Sequence, residues 1–295
     1  SLSVFYLWRG IKNNKILDWL LLGIFAGFGF LSKYLFVYLG LAINVLLIYM
    51  IYTKRLNFKC LVSLIPFVLI LLPHIIWLTE NDYITISYGL LRTGSEEANI
   101  LNHIKHPTIF IGKQIGILLP FLLMFFVLVK KFKINISIND ERLLFLLSIN
   151  LIPILFIFLT SFTMGVKIRT MWMTPFYICF GLLFVYIFKA QINFEKTRVF
   201  VSIFFILFLI SPISYSYISI TQTDKRTDFN GENLAKQAKD FYKTEANDLG
   251  KMTYIKGNEW IAGNISYHLP ERPKWIYSSS EVYLCNKDMR CIKFK

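Results

Sequence analysis

Charge is scarce in this chain, and negative charge scarcest: its 295 residues carry 18 Asp and Glu against 32 Lys and Arg, and charged residues make up only 17% of the whole. A soluble globular domain carries about 25%, so a single water-soluble core is excluded, and 55% hydrophobic residues exclude a disordered chain. No repeat of solenoid length and no low-complexity tract occurs, which removes repeat arrays, collagen and coiled coil. Nothing matches a P-loop, a dinucleotide-binding glycine fingerprint, an HExxH zinc helix or a serine elbow. With only 4 Cys and 4 His, no metal site is expected.

Apolar runs fill the space left by charge. Seven are candidates to cross a bilayer, which takes about 17 to 25 residues: roughly 16–31, the shortest, then 34–52, 60–78, 108–129, 143–163, 172–188 and 199–220. The expectation is therefore an α-helical polytopic membrane protein of about seven spans. The first two runs meet at Ser32-Lys33 as a helical hairpin. Pro66, Pro73, Pro120, Pro153, Pro175 and Pro212 lie inside the runs and predict kinks.

Cations cluster on alternate connections: Arg9, Lys12 and Lys15; Lys54, Arg55 and Lys59; Lys130, Lys131, Lys133 and Arg142; Lys189, Lys196 and Arg198. The positive-inside rule places these in the cytoplasm. The other connections carry Lys33, then Arg92 and Lys105, then Lys167 and Arg169, and face outward. One threading satisfies every connection, with the chain start inside and the region after 220 outside. That region, 221–295, loses the long apolar runs and reads as a small α/β domain, with a helix over 231–245, strands over 252–255 and 274–277, and a turn and short helix over 258–268. The expected domains are thus 1–220, transmembrane, and 221–295, periplasmic.

The net charge of +14 raises nucleic acid as a partner, but most of the cations sit beside spans, where they set orientation. The tail holds 13 cations and 10 anions, so no nucleic-acid partner is expected. Cys60 and Cys179 fall in apolar runs and read as inert fillers. Cys285 and Cys291 fall in the tail with five residues between them, and form either a disulfide-closed loop or two free thiols.

The outward connections hold the polar groups that chemistry needs. Glu80 and Asp82 follow Trp77, and Arg92, Glu96, Glu97, His103 and His106 share the same 79–107 loop. Lys167 and Arg169 break the charge rule in a very short outer connection just before Trp172. They either bind an anion there or reach to lipid phosphates, and Lys33 is a similar case at the hairpin turn. Gln114 and Lys113 lie a few residues into the fourth run and should face a cavity or the interface. His74 reads as a helix-packing histidine.

Several of these segments share a resemblance. The run Trp19-Leu-Leu-Leu-Gly-Ile-Phe-Ala-Gly-Phe-Gly-Phe-Leu-Ser-Lys-Tyr34 resembles a helix hairpin of bacterial glycosyltransferase family 39. That family is related to protein O-mannosyltransferases, aminoarabinose transferases and lipopolysaccharide galacturonosyltransferases. Pro73-His-Ile-Ile-Trp77, Gln114 with Pro120, and Lys167-Ile-Arg-Thr-Met-Trp-Met-Thr-Pro175 are similar to further segments of the family, in the same order. So are Asp228-Phe-Asn-Gly231 and the stretch Gly257 to Tyr267.

The resemblance implies a GT-C enzyme of the bacterial inner membrane. Such an enzyme moves a monosaccharide from a polyprenyl-phosphate donor to a lipid A, glycan or protein acceptor on the periplasmic side, with membrane lipids around it. Lys167, Arg169 and Lys33 are then the candidates for the donor phosphate, where negative charge develops on the leaving group. Asp82, Glu80, Arg92, Trp172 and Gln114 are the candidates for substrate contacts. The family's catalytic acid lies in its first outer loop, and this chain is expected to begin after it. No base is assigned, and the chain alone is expected to be inactive. The alternative is a transporter or flippase of lipid-linked anions, which would need several polar groups at mid-membrane depth.

Overall fold

The computed structural model describes the chain except for residues 93–98, 133–136, 138, 223–227, 247–248, 279–280 and 295, and the side chains of 91 and 92. Glu96 and Glu97 lie outside the described residues, as does the side chain of Arg92. The chain divides into two compact units, Ser1–Phe208 and Leu209–Lys295, and the border falls inside the helix Thr197–Thr221.

The first unit is helical. Its elements are α1 (Leu2–Asn13), α2 (Ile16–Ser32), α3 (Phe36–Tyr52), α4 (Leu64–Glu80), α5 (Ile84–Arg92), α6 (Asn102–Leu128), α7 (Glu141–Met164) and α8 (Phe180–Phe188). A 3₁₀ helix, Phe58–Ser63, leads into α4, another, Thr170–Tyr177, leads into α8, and α9 (Thr197–Thr221) follows.

Each of the seven apolar runs is helical, and four to five of the resulting helices have the length and composition of a span among the described residues. The fifth is the bent pair Thr170–Tyr177 and Phe180–Phe188 counted as one. Helices α2 and α3 have 17 residues each. At 1.5 Å per residue they reach about 25 Å, short of the roughly 30 Å of a hydrocarbon core. The sixth run turns by 53°. Pro175, which cannot donate to the helix ladder, sits within its 3₁₀ half.

Helix α2 is held close to its neighbours by small residues. A Cβ on Gly23 would lie 2.0 Å from the Ser63 carbonyl oxygen, and one on Gly27 would lie 2.9 Å from Ile70. Only hydrogen fits at these contacts, which is how membrane helices approach one another. One core gathers Leu7, Trp19, Leu46, Met50 and Phe145 from α1, α2, α3 and α7. A second gathers Phe110, Ile157, Met173 and Phe176. Among the four long helices α7 buries most, 44% of its apolar window against 17% and 11% for those containing α4 and α6, so α7 is the central post. Where α1 meets α2, the buried Asp18 carboxylate pairs with the Arg9 guanidinium at 3.0 Å. Arg9, read from sequence as an orientation charge, therefore also has a fixed partner.

The second unit packs two helices, α10 (Gly231–Glu245) and α11 (Ile261–His268), with a four-stranded sheet. Its strands are β1 (Tyr254–Gly257), β2 (Lys274–Tyr277), β3 (Val282–Cys285) and β4 (Cys291–Phe294), in the order β2-β1-β3-β4. β1 and β2 are parallel with α11 as the crossover, and β3 runs antiparallel to both β1 and β4. Ala235, Ala238, Ile255, Ala262, Ile265 and Leu284 form the buried core. Cys285 and Cys291 are register partners in the β3–β4 hairpin and are joined by a disulfide.

Candidate functional site

The connection that carries Lys167 and Arg169 is built by hydrogen bonds rather than left to drift. Helix α7 ends at Gly165, whose left-handed φ of 63° suits glycine. The Ser161 hydroxyl then donates to the Val166 carbonyl at 2.8 Å. Two histidines of α6 complete the clamp. His103 Nδ1 lies 2.8 Å from the Phe162 carbonyl oxygen, and His106 Nδ1 lies 2.8 Å from that of Gly165. A carbonyl only accepts, so both rings carry their proton on Nδ1.

Lys167 is exposed and Arg169 half-buried, and neither makes an ion pair among the described residues. The Trp172 amide donates to the Arg169 carbonyl at 3.0 Å, which opens the 3₁₀ turn and ties the cation-bearing segment to Trp172.

Trp172 lines a cleft of about 460 Å³ together with Lys33. Its remaining wall is largely apolar, with Phe28, Phe36, Pro175 and Phe176. Lys33 follows the last residue of α2 in extended conformation, so helix termination places it there. An exposed ammonium at an apolar cleft suits an amphipathic anion, one with a charged head and a hydrocarbon body. The structure thus brings Lys33 and Trp172, far apart in sequence, to one cavity. No acidic side chain lines it among the described residues.

Beside Lys33, the Tyr34 hydroxyl is hydrogen-bonded to His74 Nε2 and to Thr85 Oγ1, each at 2.7 Å. The His74 ring stacks on Trp77 with 5.8 Å between centroids and 14° between planes. Tyr34 therefore fastens the α2–α3 turn to α4 and α5. The periodicity of α4 gave no sign of the His74 partner, because that partner comes from another helix.

The remaining candidates scatter. Glu80 ends α4 and Asp82 follows it, both exposed. Asp82 and Tyr83 both have positive φ, 50° and 53°, an arrangement that costs non-glycine residues energy. The 79–107 segment is not a continuous loop. α5 occupies its middle, and His103 and His106 belong to α6. The apolar spacing of Ile84, Ile86, Leu90 and Leu91 is too short a signal to have revealed α5.

Arg92 is the last residue of α5. Gln114 sits within α6, buried, and its Oε1 accepts from the Tyr177 hydroxyl at 2.6 Å, while its amide nitrogen has no partner among the described residues. Among the described residues no group of three or more His, Cys, Asp or Glu gathers where a metal ion would bind.

In the second unit, the two stretches that resemble the family's tail pack on one another. The rings of Phe229 and Trp260 lie 5.2 Å apart, and Gly231 is pressed so closely to Asn264 and His268 that a Cβ would come within 2.9 Å of each.

No curated protein and no solved structure matches this chain. Residues 1–77 match the family model described as dolichyl-phosphate-mannose-protein mannosyltransferase, a stretch that holds Lys33, Tyr34 and His74.

Proposed function

We propose that this chain is part of a membrane glycosyltransferase that moves a monosaccharide from a polyprenyl-phosphate donor to a lipid, glycan or protein acceptor. The family match over residues 1–77 supports the reaction class, and helices long and apolar enough to cross a bilayer support the setting. One observation carries the assignment of a site: Lys33 and Trp172 share an apolar cleft.

The chemistry follows from what such a donor needs. Attack of the acceptor hydroxyl on the anomeric carbon breaks the bond to the phosphate oxygen and leaves the negative charge on the lipid phosphate. In this reading Lys33, Lys167 and Arg169 stabilise that charge, the apolar wall accepts the start of the polyprenyl chain, and Trp172 offers a flat face to the sugar. Asp82, Glu80, Arg92 and Gln114 stay as contacts for the sugar or the acceptor. A general base must take the hydroxyl proton, and none is assigned here. The protein belongs in a bacterial inner membrane, with Lys33, Lys167, Arg169 and the C-terminal unit on the periplasmic side, as the charge pattern of the connections argues.

The test is transfer of a radiolabelled sugar from a polyprenyl-phosphate donor by the full-length protein in membrane vesicles. Label appearing in an acceptor supports the reading. Donor that is carried across the membrane without loss of its sugar would support a flippase instead and overturn it.

A further inference from the structure

The first unit holds another cleft, toward the other end of α7 from the connection that carries Lys167. It measures about 390 Å³ and opens where α1, α7 and α8 meet. Trp8, Phe145, Leu182 and Val185 supply its apolar wall, and the Trp8 and Phe145 rings lie 5.0 Å apart. Arg142, Tyr186 and Lys189 supply its polar lining. Arg142 lies in the first turn of α7 and Met164 ends that helix, so about 33 Å of helix separates the two regions.

Helix boundaries bring the two cations together. Asp140 caps α7, accepting from the Arg142 amide at 3.0 Å. The Tyr186 hydroxyl donates to the same carboxylate at 2.6 Å and ties α8 to the start of α7. Lys189 follows the last residue of α8, and its ammonium lies 4.4 Å from the centre of the Tyr186 ring, a cation–π contact. Arg142 and Lys189 are both exposed, and neither makes an ion pair among the described residues. Asp140 is the acid bound to this lining, and it offsets one of the two cations. Glu141 is exposed and stands outside the lining. Lys130 adds a cation close by, since its amide donates to the Gln191 carbonyl at 3.0 Å. In the connection after α8, Glu195 is followed by Lys196 and Arg198. Residues 133–136 and 138, which are not described, include Lys133 and no acid. Positive charge therefore prevails at this mouth.

Orientation in the bilayer accounts for a cation near the end of a span. It does not require two, from different connections, at one apolar cleft with a hydrogen bond fastening the helices that bear them. Trp8 and Tyr186 suit the level where headgroups meet hydrocarbon, and basic pockets between spanning helices on the cytoplasmic side recognise anionic headgroups. We propose that this cleft binds an anionic glycerophospholipid of the cytoplasmic leaflet. One acyl chain lies along the apolar wall, and the headgroup phosphate sits between Arg142 and Lys189. A zwitterionic lipid fits less well, because its own cationic group meets the same two side chains. The inference rests on the reading of the chain as membrane-spanning with its Arg142 end in the cytoplasm. It does not depend on sugar transfer, since lipid binding is measured with no donor present.

The experiment is native mass spectrometry of the full-length protein in neutral detergent, titrated with phosphatidylglycerol or with phosphatidylcholine. The first phosphatidylglycerol should bind about thirtyfold more tightly than the first phosphatidylcholine, about fivefold for each cation. Arg142→Gln and Lys189→Gln combined should bring the two lipids to within about twofold of each other. Lys54→Gln and Lys59→Gln combined remove two exposed cations outside the cleft and should leave the preference intact. Thermal unfolding checks that each variant is folded. Glycerophosphoglycerol, the same headgroup without acyl chains, should not displace the lipid at equal concentration. Equal binding of the two lipids by the parent overturns the proposal. So does a preference that survives the loss of Arg142 and Lys189, one that falls as far with Lys54 and Lys59, or displacement by the bare headgroup.

Discussion

Tyr34 and His74 meet at 2.7 Å between the phenolic oxygen and Nε2, and that bond fixes the turn that carries Lys33 against α4. Because the same hydroxyl also binds Thr85, one atom links the α2–α3 turn to both α4 and α5. Tyr34→Phe removes both bonds while keeping the ring. The expected cost is about 1 to 2 kcal/mol of stability, read as a lower thermal midpoint in detergent. His74→Ala should leave the Thr85 bond in place but lose the stack on Trp77. A Tyr34→Phe midpoint equal to the parent's would show that the hydroxyl does not hold the turn.

Gly165 reverses the chain at the end of α7 with φ of 63°, and a Cβ there would approach the His103 ring to 3.0 Å. Gly165→Ala is expected to destabilise by about 1 to 2 kcal/mol, the cost of the left-handed region for an L-residue, and to displace the segment that carries Lys167. Gly112→Ala provides the comparison. Its added methyl meets nothing within 4 Å and replaces a helical glycine, so stability should hold or rise slightly. Thermal unfolding of the two side by side decides the matter.

Asp140 caps α7, its carboxylate accepting from the amides of Arg142 and Leu143 at 3.0 and 3.3 Å. The Tyr186 hydroxyl, donating to the same carboxylate, is the main cause holding its pKa below the ordinary carboxylate value. A carboxyl depressed on folding contributes stability that is complete above its unfolded pKa of about 3.9 and disappears as the pH falls through the lower folded value. Asp140→Asn keeps a capping oxygen and should flatten the fall in stability below about pH 4, while Asp140→Ala should cost about 1 kcal/mol at neutral pH. Unfolding measured from pH 7 down to pH 3 separates the two, and an unchanged acid limb in Asp140→Asn would count against the linkage.

Cys285 and Cys291 close the β3–β4 hairpin with a sequence separation of 6. The chain-entropy estimate for so short a loop is roughly 2 kcal/mol, so dithiothreitol should lower the stability of the second unit by about that amount. The Cys285→Ala, Cys291→Ala double variant should behave like the reduced protein and ignore the reductant. A parent protein equally indifferent to dithiothreitol would contradict the pairing.

What could be read from the sequence was whatever leaves a periodic or compositional trace. Long apolar runs marked where helices lie, the apolar spacing of Leu234, Ala238, Phe241 and Tyr242 marked α10, and Lys274-Trp-Ile-Tyr277 marked β2 to the residue. Helix count in the membrane was less legible, because runs of 17 residues sit at the threshold and the run that holds Pro175 is bent by 53° between two shorter helices. β3 and β4 went unread because the stretch around Cys285 and Cys291 reads in sequence as a loop rather than a hairpin.

The site was legible only in part. Lys33, Lys167 and Trp172 stood out by charge and position, yet nothing local says that Lys33 and Trp172 border one cleft. The Tyr34 bond to His74 and the histidine clamp on Gly165 are likewise set by helix packing over long sequence distances.

The most direct test concerns the cations themselves. Binding of a radiolabelled polyprenyl-phosphate sugar to the full-length protein should weaken about thirtyfold or more when Lys167→Gln and Arg169→Gln are combined, with a further loss on adding Lys33→Gln, because each charge-assisted contact to a phosphate is worth roughly 1 kcal/mol or more. Donor affinity that survives all three substitutions unchanged would contradict the account.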